Sequence, residues 1–383
     1  MEKQIFAEEL QAYEPFAFAD ADLVLTPALL IDRERVQHNI DTTLRVLGGD
    51  AKRWRPHVKT AKLGYVMRML CAAGVRQFKC ATTLELKTAC ESGAEDVLVA
   101  YPLMGANARR ALEIAREYPK VRVSVLIEDR EQMEQWRGQA VGILVDVNPG
   151  MNRTGVTDEN REGITMLCQA VVAAGLKLRG LHYYDGHMTE ADFEQRCAMA
   201  HRGYRRLLQV VEELRRAGIA VEEVITAGTP AFACSLSFEG FADATFIHRV
   251  SPGTIVYGDA TSLGQLPSKF GYLPAAAVLS RVVSHPAAGM ITCDAGHKTV
   301  SADAGVPTCV VMGHPEITPL RPSEEHLPMK IEGGVAPARG EYLYLLPRHI
   351  CPTVNNFDHA VIVSAGKMVA IEPVNARGRE RPM

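Results

Sequence analysis

Three groups of residues in this sequence have the types and spacing for chemistry. The first is Arg55-Pro56-His57-Val58-Lys59-Thr60-Ala61-Lys62. Pro56 fixes its own φ and pushes Arg55 into the extended region, so the stretch reads as the end of a β-strand that presents Lys59 to a cleft. Alternate residues of an extended segment share a face, which puts His57 and Lys59 on one side. A partly desolvated lysine beside other cations, here Arg55 or Lys62, holds its proton less tightly. The neutral amine can then attack a carbonyl to form a Schiff base. Most lysines in basic stretches are simply solvated, so this reading depends on what else the chain carries.

The second group consists of short turns that each follow an apolar run. Asn148-Pro149-Gly150-Met151-Asn152-Arg153-Thr154-Gly155 is a tight turn with one fixed cation, Arg153. Tyr183-Tyr184-Asp185-Gly186-His187 gathers hydroxyl, carboxylate and imidazole. Ala227-Gly228-Thr229-Pro230 offers exposed N–H groups and a hydroxyl, as a phosphate monoester requires, and Ser251-Pro252-Gly253-Thr254 ends the series. Each alone is an ordinary turn. Together with Lys59 they supply an amine, a phosphate cradle and aromatic or cationic groups to hold a ring, the three needs of pyridoxal 5′-phosphate.

The third group is Pro347-Arg348-His349-Ile350-Cys351-Pro352-Thr353. His349 and Cys351, two apart, share a face of an extended segment, and imidazole with thiolate suits zinc better than manganese or magnesium. Two protein ligands leave room for water and a substrate oxygen, which marks a catalytic ion. The same pair also suits a buried cysteine beside a hydrogen-bonded histidine. Glu324, Glu325 and His326 could add ligands or an outer shell, or form a charged loop.

The elements that would position these groups alternate. β-Branched runs at 29–32, 77–81, 96–100, 121–126, 141–146, 178–183, 223–227 and 254–257 and the lysine strand are separated by helical patterns such as 33–47, 64–73 and 84–91. Strands alternating with helices imply parallel pairing through right-handed crossovers, and about eight units fit an α/β fold of the (β/α)8 barrel type. An open doubly wound sheet is the other arrangement, but no GxGxxG follows the first strand. In a parallel barrel the site lies at the C-terminal ends of the strands, where the turns above fall. From about Leu266 the runs at 275–284, 290–294, 341–346 and 360–363 have little helix between them, which predicts a smaller, mainly antiparallel β-domain. The expected division is a barrel over 26–265 and a β-domain from 1–25 and 266–383 that carries the metal pair.

Composition narrows the function class. A formal charge of −3 gives no electrostatic reason to expect nucleic acid or an anionic membrane as partner. No apolar run approaches the roughly 18–20 residues of a spanning helix, and the start lacks the pattern of a secretory signal. Nine cysteines, an odd number without framework spacing, read as reduced thiols in a cytoplasmic protein.

Six motifs in order, at 55–60, 151–155, 228–230, 294–298, 323–326 and 349–353, resemble the D-threonine aldolase and D-serine dehydratase family. This is the metal-dependent branch of the alanine-racemase-like, fold-type III pyridoxal-phosphate enzymes. The similarity runs from about Thr26 to the C-terminus. It implies a homodimer with active sites where the barrel of one subunit meets the β-domain of the other. Lys59 would be the Schiff-base lysine, Gly228 and Thr229 would hold the phosphate, Tyr184 and Arg153 would lie around the cofactor, and His349 and Cys351 would bind a divalent metal.

The substrate class implied is a D-3-hydroxy amino acid. It would be cleaved to glycine and an aldehyde, or dehydrated to a 2-oxo acid and ammonia. Cys351 resembles the dehydratases; the Tyr184–His187 turn and the residues after Cys351 resemble an aldolase subgroup, and the balance falls to the aldolase. His187 or His57 would then be the base for the β-hydroxyl. A racemase needs no metal pair, and non-catalytic cofactor-binding relatives are usually small barrels without a second domain.

Overall fold

The computed structural model describes residues 14–242 and 244–382, so the first thirteen residues of the expected β-domain lie outside it. The chain forms two compact units. Of the described residues, one consists of 14–43, Thr60–Val66 and Thr254–Gly378; the other of Leu44–Lys59, Met67–Gly253 and 379–382.

The second unit is the barrel. Strands Gln77–Cys80, Asp96–Val99, Arg122–Ile127, Gly142–Asn148, Lys177–Tyr183, Glu223–Thr226 and Ile247–Val250 pair in parallel in that order. Segment 54–58 joins the last strand to the first. Trp54 bridges Val250 and His57 bridges Lys79, with Arg55 N–H donating to Val250 O at 2.9 Å and Val58 N–H to Lys79 O at 2.8 Å. The sheet therefore closes on itself with the lysine segment as its eighth stave. Helices cover it, several begun by a side chain that accepts an otherwise unpaired N–H: Thr82 from Glu85 before Thr83–Glu91, Asn160 from Gly163 before Arg161–Ala173, Asp192 from Gln195 before Phe193–Arg216. Buried on both faces, most strands read as continuous apolar runs. Leu98, Leu126, Leu144 and Ile225 pack together in one core cluster.

Two expected strands behave differently. The run at 29–32, expected in the barrel, is strand Ala28–Asp32 of the other unit. It pairs antiparallel with Ala276–Ala287 and parallel with His359–Ser364. All five of its residues are buried, and such a run carries no sign of which sheet it enters. The run at 254–257 is a 3-10 turn, Thr254–Val256. The last barrel strand is Ile247–Val250, whose central His248 and Arg249 hide its β character.

The first unit is a nine-stranded, mainly antiparallel sheet. Its long strand Ala276–Ala287 pairs with Met290–Cys293, Tyr342–Pro347 and Ala28–Asp32. Val278, Ile291, Leu327, Met329, Leu343 and Leu345 form its core. Among the described residues no helix is long and apolar enough to cross a membrane.

At the N-terminal end of the barrel strands lies a buried ionic cluster. Arg55 pairs with Asp96 at 2.9 Å and Glu223 at 3.1 Å, Arg179 with the same two at 2.9 and 2.5 Å, and Arg249 with Glu223 at 2.7 Å. Arg55, expected beside Lys59 as a neighbouring cation, is thus committed to this cluster. The extended segment runs only to His57, and Arg55 within it points into the layer of the barrel nearer the N-terminal ends of the strands.

Candidate active site

The opposite, C-terminal end of the strands gathers the candidate chemistry. The extended segment ends at His57, and Lys59 sits in a turn over residues 58–61. The expected shared face of His57 and Lys59 does not form. Instead Lys59 N–H donates to His57 Nδ1 at 3.2 Å, which leaves the proton of a neutral imidazole on Nε2. Lys62, the other expected neighbour, donates to Ala376 O at 3.1 Å within the first unit.

Tyr184 is the hub. Lys59 Nζ lies 5.6 Å from its ring centroid, Lys79 Nζ 5.2 Å and the Arg153 guanidinium 4.9 Å. These are distances at which a cation is attracted to an aromatic face. The turn that carries Arg153 is held by Asn148, whose Oδ1 accepts N–H bonds from Gly150 and Asn152, each at 3.0 Å. Gly155 closes the turn at φ +97°, and a Cβ there would lie 2.9 Å from Asn148 N, so only glycine fits.

Beneath this hub runs a hydrogen-bonded chain centred on Lys79 and His182, which lie in strands and outside the site turns of the sequence. Lys79 donates to His182 Nε2 at 2.8 Å, His182 Nδ1 donates to Asp146 Oδ1 at 2.7 Å, and the Thr154 hydroxyl donates to Asp146 Oδ2 at 2.7 Å. Burial, reinforced by Lys59, pulls Lys79 down to about 7. Burial also lowers His182, whose neutral ring can both accept from Lys79 and donate to Asp146. Burial would raise Asp146, but His182 outweighs it and holds the carboxyl low. The available signal was a lysine inside a four-residue strand that is buried throughout.

The expected phosphate cradle lies at the ends of strands Glu223–Thr226 and Ile247–Val250. Gly228 is required by closeness: a Cβ would stand 2.9 Å from Tyr184 Cε2. Its N–H donates to Asp185 Oδ1 at 3.1 Å, and Asp185 also accepts the Tyr204 hydroxyl. The carboxylate of the Tyr-Asp-Gly-His turn is therefore an internal brace, raised by burial to about 6 despite those bonds. Thr229 is buried. Ser251, whose N–H donates to Thr226 O and Ala227 O, keeps a buried Oγ with no partner among the described residues. An unpaired buried hydroxyl on a residue bonded to the end of strand Glu223–Thr226 is what an anionic oxygen would satisfy, so the residues present fit a phosphate.

His187 ends this turn, half-buried, with Nδ1 buried and without a partner among the described residues. Burial lowers its proton affinity, opposed weakly by Glu190.

The His349 and Cys351 pair belongs to the other unit. It does not lie on one extended segment: His349 caps the short helix Ile350–Val354, and Cys351 lies inside it. The two side chains are nevertheless in hydrogen-bond contact. His349 Nδ1 donates to Asp303 Oδ2 at 2.6 Å, the carboxylate–imidazole arrangement that orients a metal-binding histidine. Burial would lower His349, but Cys351 and Asp303 outweigh it and push it up to about 9. Cys351 Sγ lies 2.9 Å from the hydroxyl of Thr60, the residue after Lys59 in sequence. Among the described residues no three His, Cys, Asp or Glu side chains form a metal-binding group; an imidazole oriented by a carboxylate and a neighbouring thiol are a donor pair whose chemistry fits a borderline-soft ion. Glu324 and Glu325 pair with Lys298 in an exposed loop, which also holds His326.

Residues 31–261 match the family model "Alanine racemase, N-terminal domain", and residues 275–363 match "Putative serine dehydratase domain". The chain is 27% identical to D-threonine aldolase of Arthrobacter sp, over 97% of this chain and 96% of that one. It is 28% identical to 3-hydroxy-D-aspartate aldolase of Paracoccus denitrificans (strain Pd 1222), over 94% of each. The crystal structure of D-threonine aldolase from Filomicrobium marinum superposes with a TM-score of 0.84 at 30% identity, covering 94% of this chain and 97% of that one.

Proposed function

Because the chain belongs to the D-threonine aldolase and D-serine dehydratase family of alanine-racemase-like, pyridoxal-phosphate-dependent lyases, we propose that it cleaves D-3-hydroxy amino acids by a retro-aldol reaction. The products are glycine and an aldehyde. Lys59 supplies the amine that holds the cofactor aldehyde. Thr229 and Ser251 receive the phosphate, Gly228, whose N–H is held by Asp185, gives it close approach to the backbone there, and Tyr184 and Arg153 confine the ring. The cofactor, when bound, takes up the electron pair of the broken Cα–Cβ bond. His349 and Cys351 hold a divalent ion, with zinc favoured by the thiolate, which acidifies the β-hydroxyl. The nine cysteines are all free thiols, in keeping with an enzyme of the cytoplasm, and we take it to work as a homodimer.

The observation that carries the aldolase over the dehydratase is His187. Its buried, unpartnered Nδ1 and lowered proton affinity make it a neutral acceptor for the β-hydroxyl proton at pH 7. His57 serves less well, since its Nδ1 already accepts Lys59 N–H. The dehydratase reading is favoured by Cys351 and by the family model over 275–363.

A product assay separates the two readings. Loaded with pyridoxal phosphate and zinc and given D-threonine, D-phenylserine or D-serine, the enzyme should release glycine and an aldehyde. Release of a 2-oxo acid and ammonia instead would establish the dehydratase. In the same experiment Cys351→Ala should lose bound metal and activity while keeping the visible cofactor band; full activity without metal would remove the ion from the scheme.

A further inference from the structure

Lys79 is the least expected charge in the barrel. It is only 1% exposed, yet its amine forms no ion pair among the described residues, and the amine's one hydrogen bond there goes to an imidazole. Every other fully buried cation of the barrel stands against a carboxylate. Burying an ammonium group so is costly, and an apolar side chain would fill the place more cheaply. What the amine gains is position. His182, fixed by Asp146, holds it near the ring of Tyr184 that Lys59 also approaches.

We infer that Lys79 is a positioning residue, a buried cation held by His182 and Asp146 that tunes how tightly the Lys59 nitrogen holds its proton, before and after that nitrogen joins the cofactor. The inference rests on Lys59 as the lysine that binds pyridoxal phosphate. The charged groups that act on Lys79 are Lys59 and Arg153, which oppose its charge, and Asp146 and Asp185, which favour it. Neither acid makes a direct bond to Lys59 or Lys79, since Asp146 is engaged by His182 and Thr154 and Asp185 by Tyr204 and Gly228. A charge on Lys79 is therefore uncompensated beside the Tyr184 ring, which both amines approach, Lys59 at 5.6 Å and Lys79 at 5.2 Å from its centroid. Because Lys79 itself changes charge near neutrality, its influence varies across the accessible pH range.

The test is a pH titration of the visible absorption band of the cofactor-loaded enzyme, which reads the proton on the Lys59-linked nitrogen without turnover. Lys79→Met removes the charge at similar volume. Lys79→Gln also removes it but keeps a donor for His182, and serves where the methionine variant does not fold. In either the band's midpoint should rise by roughly one pH unit. That is the shift expected from a unit charge within about 10 Å at an effective dielectric near 20. The wild-type curve should also be broader than that of the variants. A folded, cofactor-bound neutral variant with an unchanged midpoint would overturn the inference. A wild-type enzyme with no visible band at all would overturn the cofactor reading first, and the inference with it.

Discussion

The two ends of the barrel solve the problem of buried charge in opposite ways. At the N-terminal end, Arg55, Arg179 and Arg249 are ion-paired with Asp96 and Glu223 at 2.5–3.1 Å. At the C-terminal end, Lys59, Lys79 and Arg153 face one aromatic ring, and none forms an ion pair with a carboxylate among the described residues. The acids there are turned away, Asp146 to His182 and Asp185 to Tyr204 and Gly228. Paired charges have nothing left to give a ligand. Cations whose neighbouring acids are already engaged are an attraction kept for an anionic guest.

The comparison can be broken most directly at Lys59. Lys59→Ala should abolish the visible cofactor band and reduce activity by about a thousand-fold or more, while thermal stability changes little; an intact band in the variant would move the Schiff base elsewhere. The reverse should hold at the other end. Glu223→Gln strips the carboxylate shared by three arginines and should cost about 3–5 kcal/mol in denaturant unfolding, with the band of the folded fraction unaltered. A variant as stable as wild type would show that the cluster is dispensable.

A smaller effect sharpens the contrast through pH. Burial would raise Asp96, but Arg55 and Arg179 outweigh it and hold the carboxyl far below its usual range. A depressed carboxyl contributes stability that is complete above its unfolded value near 4 and is lost as pH falls through the folded value. Acid unfolding monitored by circular dichroism should therefore show a shallower dependence below pH 4 in Asp96→Asn than in wild type. An identical acid limb would mean that other carboxylates govern it.

Much of the site was legible because its signals are local. Pro56 and the turns at Asn148–Gly155 and Gly228–Pro230 announce themselves through residues with restricted backbones, and Lys59, Arg153, Tyr184 and His187 sit in or beside such turns. The alternation of apolar runs and helical patterns likewise implied a parallel barrel, since strands separated by helices have few other ways to pair. Three things were not legible. Strand Ala28–Asp32 joins the other sheet, Ile247–Val250 takes the place expected of 254–257, and Lys79 is a site-end cation while Arg55 is not.

The order of chemically distinctive residues along the chain therefore determined the fold class, the family and the position of most candidate groups, because turn chemistry and hydrophobic period act over a few residues. Only the tertiary structure decided which charges are spent on each other and which are left for a ligand. Asp96 and Glu223 lie 41 and 168 positions from Arg55, and His182 lies 103 from Lys79. A charge's partner is set by which strands the closed sheet brings side by side, and no local pattern encodes that.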